Sequence, residues 1–285
     1  MSIPVTVAPP PITPGGPARH VIAVGSGKGG VGKSTVSLNL ALALVEQGAS
    51  VGLLDADVYG PNIPVMVNVT RHKRRTSFML ATAKGAPRYK PVEKFGLEIM
   101  SAGFLFGEDQ AIAWDSNLVS ALVSQLMNFV DWGRLDYLIV DLPPGTGDVQ
   151  QAFAKNMNLS GAIVVVTPQD IAHLDAKKAL DMYRHLNVPV IGAVENMSGL
   201  VCPHCSERIE VFHKVRQDRS IFETGVVRLG SIPLDPEMSR STDDGRPVFV
   251  DQPKSIQAQA FRFIALGLID ALGEKMPVTK KGGKP

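Results

Sequence analysis

The glycine-rich stretch at residues 27–35 has the residue types and the spacing that bind phosphate. Its sequence is Gly27-Lys28-Gly29-Gly30-Val31-Gly32-Lys33-Ser34-Thr35. The glycines let the backbone turn tightly, and the helix expected after them points its positive end at the same anion. Lys33 is placed to reach the β- and γ-phosphates, and the Ser34 hydroxyl is placed to bind Mg²⁺. The stretch predicts a nucleotide site lined by every residue from 27 to 35 except Lys28, with Lys33 catalytic.

Three aspartates follow apolar runs and are candidates for positioning the metal and the attacking water. Asp141 ends the run at residues 137–140, as the carboxylate of a Walker B strand does, and is expected to hold Mg²⁺ through water. Asp55 and Asp57 follow a second apolar run at residues 51–54. One of these two is expected to orient the attacking water and the other to support the water shell of the metal. The alternative for both is the capping of turns.

The two cysteines of the chain, Cys202 and Cys205, stand in a Cys-Pro-His-Cys sequence. Their spacing leaves three kinds of site open. A thioredoxin-like redox pair would lie between a strand and a helix, and a structural zinc site would need His204 and His213 as further ligands. A four-iron cluster usually takes four thiolates, which a two-fold dimer supplies by placing the same patch opposite itself. Two cysteines also exclude a disulfide framework and favour a reducing, cytoplasmic setting.

Composition and hydrophobic patterning predict the scaffold that positions these groups. The 285 residues are 45% hydrophobic with a net charge of +2, which suits a globular protein and does not favour nucleic acid as a partner. Continuous apolar runs alternate with helical patterns, which favours an α/β fold, a mostly parallel sheet with helices on both faces in a single domain. Strands are predicted at residues 21–24, 51–54, 97–100, 137–140, 163–166, 190–194 and 227–232, and helices at residues 34–47, 118–129, 171–186 and 256–272.

The two ends of the chain differ from the alternating pattern between them. Residues 1–18 are proline-rich and are expected to be disordered, residues 19–275 are expected to form the nucleotide-binding domain with the cysteine loop, and residues 276–285 form a basic tail expected to be disordered. No apolar run is long enough to span a bilayer and no secretory signal is present, so no membrane association is expected.

A basic segment at residues 71–75, followed by Lys84, Arg88 and Lys90, shows no clear periodicity. We interpret it as a solvated loop, and the alternative is a contact with an anionic partner such as nucleic acid.

The stretch at residues 27–35, with its additional lysine, resembles the deviant Walker A motif of the MinD/ParA/nitrogenase iron protein class. Further stretches resemble the Mrp/ApbC family of iron–sulfur cluster carrier ATPases: residues 55–64, residues 141–148, Glu195-Asn196-Met197-Ser198, and the Cys-Pro-His-Cys pair. The resemblance runs from about residue 19 to residue 272. It implies a P-loop NTPase fold, hydrolysis of ATP, a homodimer, and delivery of an iron–sulfur cluster to apo-protein clients.

The same resemblance implies roles for individual residues. Lys28 is the signature lysine that acts across a dimer, Asp57 orients water, and Asp141 belongs to the metal site. Asn196 recognises adenine, and Pro233 lies near the base. The dimer that Lys28 requires is also the arrangement that lets two cysteine pairs supply four thiolates, so a bridging four-iron cluster is preferred among the three kinds of site. The alternative function is that of a ParA/MinD-like positioning ATPase without a cluster.

One departure from the family pattern falls after Trp114. Many relatives have Trp-Arg-Gly-Pro-Met there, whereas this chain continues as Asp115-Ser116-Asn117-Leu118. No role in the dimer is therefore carried over for the missing arginine.

Overall fold

The computed structural model describes residues 16–69, 79–80, 88–105, 115–202, 204–205 and 207–274. The basic segment at residues 71–75, Lys84, Trp114 and the C-terminal tail lie outside the described residues, as does nearly all of the N-terminal tail. The first strand already includes Ala18, which is buried and pairs with Leu135.

Strands and helices alternate along most of the chain. The strands are β1 Ala18–Ser26, β2 Val51–Asp55, β3 Met79–Leu80, β4 Arg88–Tyr89, β5 Val92–Lys94, β6 Leu97–Ser101, β7 Leu135–Asp141, β8 Gly161–Val166, β9 Val190–Val201, β10 Arg208–Ile209 and β11 Arg228–Leu234. The helices are α1 Lys33–Glu46, α2 Ile63–Met66, α3 Ser116–Asn128, α4 Asp148–Asn156, α5 Asp170–His185, α6 Pro236–Asp243, α7 Val248–Asp251 and α8 Ile256–Ala271.

The main sheet has the order β10-β9-β8-β1-β7-β2-β6-β5, and β11 also pairs with β9. Its central pairings are parallel, while β5 and β10 are antiparallel additions. Every residue of β2 and β8 is buried. Because successive side chains of a strand point to opposite faces, this burial means that both faces of the sheet are covered. The predicted fold class is confirmed.

Three neighbouring strands bring the predicted phosphate and metal residues to one edge of the sheet. The glycine loop follows β1, Asp141 ends β7 and Asp55 ends β2, and β7 lies between the other two. The register pairs Asp141 with Val24 on one side and with Asp55 on the other. Since carboxyl ends of parallel strands meet at the same edge, the site forms where open α/β sheets place their ligands.

Several elements are longer than predicted, and the described residues include four helices, α2, α4, α6 and α7, that were not predicted. The strand predicted at residues 190–194 continues as β9 through the polar motif to Val201. Helix α3 begins two residues before its predicted start, because the Asp115 carboxylate accepts hydrogen bonds from the N–H groups of Asn117 and Leu118. The residues after Trp114, where the sequence departs from the family pattern, therefore form the N-cap and the start of a helix. Of the four helices that were not predicted, α4 begins at Asp148, three positions after the last residue of the Pro-Pro-Gly turn.

Helix α1 lies between the sheet and α8, and Val36 to Leu44 are all buried. Arg262 of α8 forms a bidentate ion pair with Glu46 at the end of α1, with Nε–Oε2 and Nη2–Oε1 distances of 2.5 and 2.7 Å. The two helices therefore hold the glycine loop, which opens α1, against the body of the domain. Among the described residues, no helix is long and apolar enough to cross a membrane.

Candidate nucleotide site and cysteine hairpin

The glycine loop between β1 and α1 has the backbone conformation that its sequence predicts. Gly30 and Gly32 have φ angles of 79° and 82°, which disfavour residues with a side chain. Gly32 is also packed against Asn196, since a Cβ at Gly32 would lie 2.2 Å from Asn196 Nδ2. That amide donates a hydrogen bond of 2.9 Å to the carbonyl of Val31. The loop is thus supported from beneath by β9.

Lys33 lies at the base of this loop among carboxylates. Its side chain is 6% exposed, and Nζ lies 2.9 Å from Asp141 Oδ1 and 3.5 Å from Asp57 Oδ2. Burial alone would lower the pKa of Lys33, but the charges of Asp141 and Asp57 outweigh burial and raise that pKa above its usual value. Lys33 is therefore a firmly charged ammonium group, which is the state that binds phosphate.

Asp141 is fully buried and uses only one of its carboxylate oxygens. Oδ1 accepts hydrogen bonds from Lys33 and from the Ser37 hydroxyl, the latter at 2.7 Å. Oδ2 is buried without a hydrogen-bond partner. An unpaired buried carboxylate oxygen is costly, so this oxygen fits a site completed by a cation or by its water shell.

Asp55 is also fully buried, but its bonds are structural. Oδ2 accepts from Ile63 N at 3.3 Å and from Ser101 Oγ at 3.0 Å, and Oδ1 accepts from Asp57 N at 3.2 Å. Burial first, and the nearby charge of Asp141 second, raise the pKa of Asp55 to about 8. These contacts correspond to the turn-capping alternative: Asp55 ties the loop after β2 to the start of α2 and to the end of β6.

Asp57 lies beside Lys33 and faces the site more directly. Its Oδ1 accepts from the N–H groups of Tyr59 and Gly60, at 3.3 and 3.4 Å, and its Oδ2 lies towards Lys33. Burial raises the pKa of Asp57, and the charge of Lys33 opposes that rise. The hydrogen bonds from the loop fix the carboxylate, so its position suits a group that orients a water molecule.

The two residues expected near adenine lie on the neighbouring strands β9 and β11. Asn196 pairs in register with Ile232, the residue before Pro233. Asn196 is only 4% exposed, because its amide is bound beneath the glycine loop, and Pro233 is half-buried. Met197, the next residue, has a φ of 56°, an unusual conformation for a residue with a side chain. Asn196 in β9 therefore supports the glycine loop, a role that the sequence alone did not reveal.

Cys202 and Cys205 lie at the tip of a β-hairpin formed by β9 and β10. Cys202 N donates to Glu207 O at 2.9 Å, next to the antiparallel pair of Val201 and Arg208. The Cys202 side chain is half-buried and Cys205 is exposed, and both are free thiols. The backbone N–H groups of Cys205 and His204, and then the Cys205 side chain, lower the pKa of the Cys202 thiol. The lowered pKa favours the thiolate, the form of cysteine that binds metals.

The hairpin geometry differs from that of a thioredoxin-like redox pair and from that of a closed zinc site. The pair joins two strands, whereas a thioredoxin-like pair joins a strand to a helix. Among the described residues, no three His, Cys, Asp or Glu side chains are grouped so that they could hold a metal ion. The described part of one chain therefore brings two thiols to this tip, rather than the four ligands of a closed zinc site.

A strap, which we define as residues 210–223, runs from the hairpin to the start of α5. Asp170, the first residue of α5, accepts from Arg216 N at 2.9 Å and from Arg219 Nη1 at 2.8 Å. Further along the helix, Nδ1 of the fully buried His173 accepts from Ile221 N at 3.2 Å, while Nε2 has no partner. The strap therefore packs on a neutral histidine.

Replacing His173 with asparagine should remove a pH dependence of stability. Burial, and then the charge of Arg228, lower the pKa of His173 to about 4. Between about pH 6.5 and pH 4 the unfolded chain binds a proton that the folded chain does not, so the parent loses stability as pH falls through this window, by about 3 kcal/mol. Urea unfolding of parent and His173→Asn at several pH values measures the difference. A difference in unfolding free energy that does not change with pH would contradict the assignment.

The glycine loop between β1 and α1, the buried lysine and the aspartates at the ends of β2 and β7 define a P-loop NTPase. A family model described as "ParA: NUBPL iron-transfer P-loop NTPase" matches residues 17–269. The chain belongs to this family, which confirms the resemblance seen in its motifs.

Individual relatives agree with this assignment. An iron-sulfur cluster carrier protein of Aquifex aeolicus is 44% identical over 90% of this chain and 69% of its own length. The iron-sulfur cluster transfer protein NUBPL of Mus musculus is 43% identical over 89% of this chain and 78% of its own length.

Solved structures show the same fold. An Archaeoglobus fulgidus nucleotide-binding protein in complex with ADP has a TM-score of 0.70 and 33% identity, covering 86% of this chain and 93% of its own. The cell division ATPase MinD of Pyrococcus furiosus has a TM-score of 0.62 at 20% identity, covering 88% and 98%, and at that identity it shows the fold alone.

Proposed function

We propose that this protein is an ATP-hydrolysing carrier of iron–sulfur clusters, a homodimer that holds a four-iron cluster between its two cysteine hairpins and transfers it to apo-proteins. The observation that carries the proposal is the hairpin itself: it presents Cys202, whose thiol has a lowered pKa, beside the exposed Cys205. The relatives named as cluster carrier and cluster transfer proteins support the same function. Two free thiols need a reducing compartment, and the cytoplasm is the proposed setting.

The nucleotide half of the proposal is supported by the fit of the site to Mg·ATP. The N–H groups of the glycine loop and the positive end of α1 suit a triphosphate, and a solved relative is described in complex with ADP. The Ser34 hydroxyl and, through water, the unpaired Oδ2 of Asp141 would hold Mg²⁺. When bound there, Mg²⁺ supplies positive charge to the β- and γ-phosphates. Asn196 and Pro233 would lie towards adenine.

Hydrolysis would proceed by in-line attack of water on the γ-phosphorus, with cleavage of its bond to the oxygen that bridges to ADP. Asp57, fixed by the N–H groups of Tyr59 and Gly60, would orient the water. Lys33 would exchange its contact with Asp141 for the phosphate oxygens and stabilise their charge. Lys28 would add its charge to the site of the partner chain across the dimer.

The cargo half of the proposal follows from the number of thiolates. One chain offers Cys202 and Cys205, and a four-iron cluster takes four thiolates. A two-fold axis that passes near the hairpins brings two such pairs together. Cys202, the residue that follows β9, lies six positions beyond Asn196, at most about 20 Å away at ~3.3 Å per residue. One strand therefore links the support of the glycine loop to the cluster ligands, so a change at the nucleotide site has a short path to the cargo.

Anaerobic loading with iron and sulfide tests the proposal. The protein should take up about four irons and four sulfides per two chains and run as a dimer. Loaded protein mixed with an apo-protein acceptor that has four free cysteines should then pass the cluster on, as measured by the acceptor's visible absorbance after separation. A chain that stays monomeric, binds about one zinc and takes up no iron would leave only the ATPase and overturn the carrier function.

A further inference from the structure

Lys28 has one polar partner for its ammonium group among the described residues, and that partner belongs to its own chain. Lys28 Nζ donates to Gln169 Oε1 at 3.1 Å. The partner is a neutral carboxamide rather than a carboxylate, and it takes one of the three N–H donors of the ammonium group. The remaining donors and the full positive charge stay available for a phosphate oxygen.

The backbone of Lys28 is also held in place. Ser26 Oγ donates to the carbonyl of Lys28 at 2.9 Å. Gly27 packs directly against α5, because a Cβ at Gly27 would lie 2.2 Å from the carbonyl carbon of Asp175. This close approach places the glycine loop against the first two turns of α5, the helix that Gln169 precedes. A long lysine side chain that is otherwise free to move is therefore fixed at both ends.

Gln169 itself sits on a rigid base. It is the N-cap residue of α5, it follows the buried Pro168, and its side chain makes no capping bond to the helix. The next residue, Asp170, is clamped by Arg216 and Arg219 of the strap. The carboxamide is therefore available to accept a hydrogen bond from Lys28, while the backbone of Gln169 is held by its two neighbours in sequence, Pro168 and Asp170.

We propose that Gln169 is a positioning residue for Lys28, holding the ammonium group in the place from which it serves the phosphates. A lysine side chain has many rotamers, and ordering it when the dimer closes opposes the reaction. The contact with Gln169 orders it beforehand, which is how preorganised groups accelerate a charged step. This inference rests on the proposed function, because it gives Gln169 a purpose only if Lys28 acts in ATP hydrolysis.

Two substitutions separate positioning from a structural role. Gln169→Asn keeps a polar group and is a better N-cap, so it should preserve or raise the melting temperature, but its side chain is too short to reach Lys28. Gln169→Met keeps the length and removes the acceptor. Both should lower the kcat of ATP hydrolysis about three- to tenfold and leave ATP affinity within about twofold of the parent. The control Gln259→Asn, on the exposed side of α8, should keep the turnover of the parent.

A double-mutant cycle with Lys28→Ala makes the test specific. If Gln169 acts only through Lys28, adding Gln169→Asn or Gln169→Met to Lys28→Ala should change turnover by less than about twofold. The positioning role would be overturned if the losses of turnover multiplied in the double variants. It would also be overturned if both Gln169 variants kept the turnover of the parent while Lys28→Ala was impaired. Either result would leave the proposed function intact. Parent-like turnover of Lys28→Ala itself would overturn the catalytic role of Lys28, and the inference with it.

Discussion

Replacing Lys33 with alanine should remove most ATP binding and lower turnover by at least about 100-fold, because the β- and γ-phosphates lose their nearest cation. The structure adds a second reason. Lys33 is the cation that contacts both Asp141 and Asp57. In the variant, the negative charges of these two carboxylates would no longer be balanced by Lys33 and would repel the incoming triphosphate. Isothermal titration of the nucleotide and steady-state phosphate release measure the two effects separately.

The control for this experiment is Lys254→Ala, which removes an exposed lysine from the loop before α8. It makes the same change in net charge and should retain parent affinity and turnover. Both variants should be compared after their circular dichroism spectra are matched, since the buried carboxylates of the Lys33 variant favour protonation and can lower stability. Turnover of the folded Lys33→Ala protein within about twofold of the parent would contradict the assignment of the P-loop.

The elements that sequence predicted best are those buried on both faces. The apolar runs predicted as strands at residues 21–24, 51–54, 137–140 and 163–166 all lie within β1, β2, β7 and β8. Central parallel strands are continuous apolar runs, and a loop that follows such a run must leave the sheet at its carboxyl end. For this reason the glycine loop, Asp55 and Asp141 could be assigned to one site before their distances were known.

Strand β9 shows where pattern reasoning fails. Its second half contains Glu195 and Asn196, and polar residues after an apolar run are typical of a loop. In the structure Asn196 is satisfied by the carbonyl of Val31, and Glu195 lies 3.4 Å from Arg228 of β11. A polar residue can lie in a buried strand when a distant part of the chain supplies its hydrogen-bond partner. The local sequence pattern does not show such distant partners.

The ionisable groups show the same limit. Asp55 and Asp57 have the same residue type and are two positions apart, yet only Asp55 is enclosed by bonds to α2 and β6. Their different environments depend on the pairing of β2 with β7 and β6, which is a property of the strand order. The contact of Lys28 with Gln169 likewise requires α5 to pack on the glycine loop.

The cysteine hairpin carries the second large expected effect. Replacing Cys202 or Cys205 with alanine should reduce cluster loading at least about tenfold, because a shared site that needs four thiolates would lose two of them in each dimer. ATP affinity should stay within about twofold of the parent, since the glycine loop is supported by Asn196 rather than by the hairpin tip. The hairpin should persist in both variants, because Cys202 pairs with Glu207 through backbone atoms. Iron and sulfide content after anaerobic loading, with nucleotide titration of the same samples, measures both outcomes.

Histidine variants complete this experiment and decide between a cluster and zinc. His204→Ala and His213→Ala should load iron to the level of the parent, because four thiolates complete the cluster without nitrogen ligands. A zinc site behaves differently: it would bind about one metal per chain, persist in the monomer and weaken when His213 is lost. Iron loading that survives loss of either cysteine, or that fails when only His213 is replaced, would contradict a cluster held by the two hairpins.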